Sequence, residues 1–309
     1  MRQKKKLKKA LSLLLTAAMV LSLNVPVFAD EADDGNGEDN ATNSVQVFDA
    51  TDGEDVQAID NVPENEGVKV AKIGDTAYAT LQEAMAEAVS GNTVSLFGET
   101  TENDKVVVGA DVTLEIAAGA SLNGQVEVQE GGKLIVNGAI TYDSQGSAII
   151  SRGTVQIGEG AAVTAKDSDN NGAVYIIKGS FEMSGGTITS EKKSTNYGRG
   201  LGFNNNADAS GSITGGTINA YDIALLIRSG GLSSDFSIQN VTLTCSSGTN
   251  VINGTYLSNI AAGSYVSQNG QTWTIGPDAT GCARGAEGIY YPTVAAALKA
   301  STTVEVLEG

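Results

Sequence analysis

Three apolar runs end in a cation: Ile149-Ile150-Ser151-Arg152, Tyr175-Ile176-Ile177-Lys178 and Leu225-Leu226-Ile227-Arg228. On this alignment the intervening repeat offers Asn204 at the same place, and the last one Asn253. Neighbouring strands lie about 4.8 Å apart, so Arg152, Lys178 and Arg228 would form a basic row with Asn204 among them. Ile149, Tyr175 and Leu225 would form an apolar strip beside it. Together the two rows can hold an anionic glycan by stacking and ion pairing. The same residues also make sense without a ligand. A strand that is apolar on both sides needs a loop over its outer one, and a cationic edge can simply be solvated.

A second stretch has metal chemistry in it. Asp167-Ser168-Asp169-Asn170-Asn171-Gly172 follows the first half of a calcium loop, with oxygen donors at Asp167, Asp169 and Asn171 and a glycine after them. Lys178 stands where such a loop needs its closing bidentate Glu, and Asp and Asn equally favour a plain corner. Calcium is therefore an expectation beside that corner, and no other cofactor is suggested.

Groups for catalysis are scarce. The chain has no histidine. Glycoside hydrolysis needs two carboxyl groups about 5 to 10 Å apart, which in a stacked repeat means acids on neighbouring units at one position. Glu127 and Glu182 stand alone in their runs. Tyr197, Tyr221, Tyr256 and Trp273 suit sugar platforms or single capping rings. Asn204-Asn205-Asn206 also suits a polar corner. Cys245 and Cys282 can form a disulfide in an oxidising compartment, but Cys245 shares the parity of Val241 and Leu243 and equally suits a buried wall thiol.

The elements that hold these residues are regular. Met183–Thr189 reads M-S-G-G-T-I-T, echoed at Ile213–Asn219 and Ile238–Thr244, with starts 30 and then 25 residues apart. That is the period of stacked units. Phe181 and Met183 flank Glu182, Val126 and Val128 flank Glu127, and Val155 and Ile157 flank Gln156, the alternation of half-buried strands. Asn123-Gly124, Asn137-Gly138, Asn171-Gly172 and Asn253-Gly254 supply corners. Three short runs per unit over about 170 residues predict an all-β fold, a parallel β-helix of about seven turns within residues 68–275.

Ahead of this body, Leu81, Ala84, Met85, Ala88 and Val89 share one face of a helix, and Thr80 with Glu83 forms a capping box. An amphipathic capping helix is predicted over 80–90, stopped by Gly91, with a strand after it. The unit returns near the other end. Tyr291, Thr293, Val294, Ala297 and Leu298 repeat Tyr78, Thr80, Leu81, Ala84 and Met85 at an offset of 213 residues. Residues 276–309 thus form a second helix-strand capping unit, which either closes the fold or opens another module. The identical unit ahead of the first body favours another module.

These residues carry a family resemblance. Y-A-T-L-Q-E-A-M-A-E-A, then N-T-V-S-L, then the G-G-T-I repeats resemble secreted right-handed parallel β-helix proteins of the pectin-lyase-like superfamily, the adhesin-like bacterial surface type. The resemblance implies a helix that caps the first coil. Its enzymes would imply an acidic calcium cluster with an Arg or Lys base, or motifs such as G-H-G, D-D and R-x-K, which the repeat body lacks.

The chain begins with a basic run, an apolar stretch from Ala10 to Leu23 and V-F-A ending at Ala29. This predicts a signal peptide over 1–29, too short to span a bilayer, and export to the surface or medium. Residues 30–67 hold 13 acidic residues and no Lys or Arg, which predicts a disordered linker. The net charge of -17 would fall to -23 on loss of six leader cations, opposing nucleic acid and anionic bilayers as partners. The function expected is a non-catalytic adhesin-like or carbohydrate-binding module for a polysaccharide or cell-surface glycan. The alternatives are a polysaccharide lyase or glycoside hydrolase of that superfamily, and a structural spacer.

Overall fold

The computed structural model describes residues 68–247, 250–276 and 281–307. The signal peptide and acidic linker expected over 1–67 lie outside the described residues. Within them, alternation of apolar and polar residues gives each turn three short strands. In the turn built from the M-S-G-G-T-I-T stretch these are Ser180–Met183, Thr187–Ser190 and Arg199–Phe203. Phe181 and Met183 point inward and are fully buried, while Glu182 points out. Gly185 and Gly186 make the corner, where a Cβ on Gly186 would sit 2.6 Å from the carbonyl oxygen of Ala161.

Turns stack in parallel register into three faces, which extend into sheets of nine, twelve and seven strands. The fold is a parallel β-solenoid of about eight turns. One more turn forms than the sequence suggests, because the strand after the capping helix, Thr93–Leu96, is itself a strand of the first rung and pairs with Thr113–Ile116. Early rungs are short: Thr93 faces Thr113, Thr113 faces Lys133, and Lys133 faces Thr154. Later rungs are longer, since Thr154 faces Ser180 and Ser180 faces Ser210. The added residues go chiefly into the corners between the second and third faces, at 168–173 and 191–198, and into the corner between the third and first faces at 204–209.

Inside, side chains stack in files. Leu96, Ile116, Val136, Ile157, Met183, Ile213 and Ile238 form one of them and are all buried. Each such burial contributes about 1.5–3 kcal/mol. Phe181, Phe203 and Phe236 meet edge to face at 5.9 and 5.4 Å, filling the wider later turns.

Helix α1, Leu81–Glu87, covers the open end of the coil through Leu81 and Ala84. Its capping box forms as predicted, with the Glu83 amide donating to Thr80 Oγ1 at 3.1 Å and the Thr80 amide to Glu83 Oε2 at 3.2 Å. The helix is shorter than 80–90. Ala88 is extended, and Val89 exchanges hydrogen bonds with Asn92, so Val89 is exposed rather than part of the covering face.

The parallel stack does not reach residue 275. After Ile252–Asn253 and a short 3-10 turn, Tyr265–Asn269 and Thr272–Gly276 form a hairpin, and its second strand runs antiparallel to Val241–Cys245. The second capping unit follows, with strands Ala283–Gly285, Tyr290–Tyr291 and Val304–Val306 around helix α2, Val294–Ala300. Tyr291 is buried where this unit meets the coil, and burial, chiefly, pushes its hydroxyl up to about 12.

Of the two readings of Cys245 and Cys282, the wall thiol is the one formed: there is no disulfide between them, and both are free thiols. Cys245 is buried in the wall, where its Sγ donates to the Asp222 carbonyl at 2.6 Å. Cys282 is exposed and donates to the Pro292 carbonyl at 3.1 Å.

Candidate functional site

The third face carries the residues that the basic runs point to, but in a different register. Ile149 faces Val174 and Ser151 faces Ile176, a step of 25, whereas alignment of Arg152 with Lys178 needs a step of 26. The extra residue is absorbed just beyond the strand, where the amides of both Ile177 and Lys178 donate to the Ser151 carbonyl, at 2.7 and 3.3 Å. The file at this position is therefore Arg152, Ile177, Asn204 and Arg228, whose amides donate in turn to Val128, Ser151, Ile176 and Phe203. Lys178 is displaced by one residue and Asn253, which faces Leu226, by two. A continuous basic row is not built.

The apolar strip shifts in the same way. Ile149 and Leu225 point inward and are fully buried, and the outer file is Ile150, Tyr175, Gly202 and Leu226. This strip is covered by the corner at 168–172. Gly202 makes room for it, because a Cβ there would lie 2.0 Å from the carbonyl oxygen of Asn171. Arg228 fastens the corner, donating to the Asn170 carbonyl, to Asn171 Oδ1 and to the Tyr175 hydroxyl, each at 3.1 Å. Its guanidinium also lies 5.5 Å from the centre of the Tyr175 ring, within cation–π range. Arg199 donates to the same Asn170 carbonyl and pairs with buried Asp222 at 3.4 Å.

The other two cations of the expected row have carboxylate partners. Arg152 pairs with Glu127 at 3.0 Å, Lys105 pairs with the same carboxylate, and Lys178 pairs with Glu130 at 3.1 Å. Arg152, Lys178, Glu130 and Asp208 share a shallow depression of about 400 Å³ that mixes both signs. The Lys105 ammonium, hydrogen-bonded to it, holds the Glu127 carboxyl below the ordinary carboxylate range; partial burial opposes this and Arg152 adds to it.

The oxygens of the calcium expectation are likewise engaged within the protein. Asp167 pairs with Lys192, and Asp169 accepts from the Asn171 backbone amide at 2.7 Å and from its side-chain amide at 3.0 Å. Asn171 Oδ1 faces Arg228. Among the described residues no cluster of three or more His, Cys, Asp or Glu has the geometry to hold a metal. The strand acids lie singly in their files, Glu115 between Ser95 and Ile135, Glu127 between Val107 and Ile150, and Glu182 between Gln156 and Ser212, whereas the corner acids Glu130 and Asp208 share the depression with Arg152 and Lys178.

The second face presents a different surface. Its outer file runs Thr141, Thr164, Thr189, Asn219, Thr244 and Thr272, and beside it run Thr187, Thr217, Thr242 and Thr274. Neighbouring rungs are about 4.8 Å apart and alternate residues about 7 Å, so hydroxyl and amide groups form a flat, uncharged array. At one margin the file meets a groove of about 660 Å³, lined by Thr189, Glu191, Lys193, Asn219, Tyr221 and Ser246. One aromatic ring, a carboxylate, an ammonium, an amide and two hydroxyls converge there.

Of the rings considered as sugar platforms, Tyr221 lines this groove and Tyr197 is exposed at the neighbouring corner. Tyr256 and Trp273 meet edge to face, 6.1 Å between centres, against the core. The threonine array was in plain view as T-I-T, T-I-N, T-L-T and T-W-T, but only the inward parity of those strings marks the wall. The outward parity is what draws the array.

No family model, no curated protein and no solved structure matches the chain. The fold places the chain in the class of parallel β-solenoids with a helical cap. No helix among the described residues is long and apolar enough to cross a membrane.

Proposed function

We propose that this is an exported, non-catalytic surface module that binds a neutral glycan along its second face, with the groove at Tyr221 as the principal subsite. The observation that carries the reading is that groove, opening onto an uncharged threonine and asparagine array in a chain of net charge -17. Hydroxyl and amide groups donate and accept, as sugar hydroxyls do, and they lose little on desolvation compared with charges. A ring such as Tyr221 gives a sugar an apolar plate with a polar tip. Acidic polymers are less suited, because the protein repels them at long range and Arg152, Lys178 and Arg228 already have partners. The non-catalytic reading is supported by the strand acids, which stand singly in their files, by Glu127, which Lys105 keeps ionised and so unfit as a general acid, and by the pairing of Glu130 with Lys178 in the depression it shares with Asp208.

Affinity electrophoresis of the full chain through gels containing neutral or acidic polysaccharides tests this. Retardation by a neutral polymer is expected, reduced about five- to thirtyfold in affinity by Tyr221→Ala or Asn219→Ala, since losing a stacked ring or a hydrogen bond at a binding centre costs about 1–2 kcal/mol. Retention only on acidic polymers, or retention indifferent to Tyr221→Ala, would overturn the reading. The resemblance to adhesin-like β-helix proteins supports a place at the bacterial surface.

A further inference from the structure

The molecule contains one β–β–α–β unit twice, and each copy shows in occupied form an edge that the other leaves open. In the first copy Ala71 faces Tyr78 on one side and Leu96 on the other. In the second, Ala283 faces Tyr291 and Val306 in the same arrangement. The last strand of the first copy, Thr93–Leu96, is paired along its far edge by the parallel strand Thr113–Ile116. The last strand of the second copy, Val304–Val306, ends its sheet among the described residues. Conversely, Tyr290 of the second copy pairs in parallel with Tyr265 of the hairpin that follows the coil, whereas Thr76–Tyr78 of the first copy ends its sheet.

The side chains repeat this contrast. Val94 and Leu96 are fully buried because the next rung lies over them, but Val306, in the place of Leu96, is 64% exposed. Leu298, in the place of half-buried Met85, is 62% exposed. On the other side of the same strand Glu305 pairs with Arg284, as suits a solvated surface. An apolar-sided strand with open N–H and C=O groups is a template for another strand.

We propose that the Val304–Val306 edge docks the first rung of a second β-helix coil. The docked strand would run parallel and have the alternation of Thr113–Ile116, with two apolar residues stacked on Val304 and Val306 and the coil end covering Leu298. The first copy shows the complete form of this joint. The proposal does not depend on glycan binding.

The test compares the full chain with a tandem protein in which residues 98–275 are repeated after Leu307, the counterpart of Phe97. Hydrogen exchange of the Val304, Glu305 and Val306 amides is measured in both. Exchange slowed on the order of tenfold or more in the tandem, and fast in the single chain at every concentration, is the expected result. Val306→Asp in the tandem should abolish the protection, and in the single chain it should leave the melting temperature unchanged because the side chain is exposed. Unchanged exchange, or an added coil that stays unfolded, would overturn the proposal, since a docking edge must template that rung. Protection that rises with concentration in the single chain would also overturn it, by assigning the edge to a second copy of the chain.

Discussion

The outer sides of the second and third faces come from the same repeat and have opposite fates. The third face offers Ile150, Tyr175 and Leu226 with arginines nearby, a composition that suggests binding, yet a corner lies across it and Arg228 is fastened to that corner. The second face offers small polar residues with little apparent identity, yet it stays open and is bordered by a groove. Apolar and cationic residues on a solenoid wall are attractive to the protein's own loops. What remains accessible is the side to which the chain itself has little affinity.

Perturbing the cover should produce the largest effect. Gly202→Ala would force the Asn170–Asn171 segment away from a 2.0 Å approach, and a loss of about 1–3 kcal/mol in urea denaturation is expected. If the substitution is neutral, the corner does not hold the strip closed. Next in size is Arg228→Ala, which removes three hydrogen bonds and a ring contact and should cost about 1–2 kcal/mol. Arg152→Ala and Lys178→Ala break exposed ion pairs and should stay within about 0.5 kcal/mol. Equal losses at the three positions would erase the distinction between fastened and merely paired cations.

On the open face, Thr189→Val with Thr217→Val should change stability by no more than about 0.5 kcal/mol while weakening retention on a neutral polysaccharide. A large loss of stability there would mean that the array is structural. The smallest effect concerns acid. Because the folded-state pKa of Glu127 lies below its ordinary 4.5, its pairing with Lys105 and Arg152 stabilises the fold above that pH, and the contribution is lost as pH falls through the lower folded value. Glu127→Gln should flatten the acid limb of a stability-against-pH curve by no more than roughly a few tenths of a kcal/mol, given how exposed the two cations are.

Much of the fold was legible because it is written in short-range periodicity. Phe181, Glu182 and Met183 alternate, Gly185-Gly186 turns, and Thr80 with Glu83 caps a helix, all within a few residues. The repetition of Leu81 and Ala84 as Val294 and Ala297 likewise needed no structure to find. The helix end at Glu87 was less legible, because the Val89–Asn92 turn competes with continued helix through a side-chain acceptor.

The candidate site was less accessible to the same method. Alignment of Arg152 with Lys178 rests on similar letters, and one residue absorbed at Ile177–Lys178 is enough to break it, since register along a stack is set by hydrogen bonds between rungs. Sequence by itself determined that this chain would wind into a coil with an apolar interior and a capped beginning, because those features depend on residues close in sequence. Tertiary structure alone decided which outer surface stays open, because Asn171, Gly202 and Arg228 meet only after separate turns have stacked.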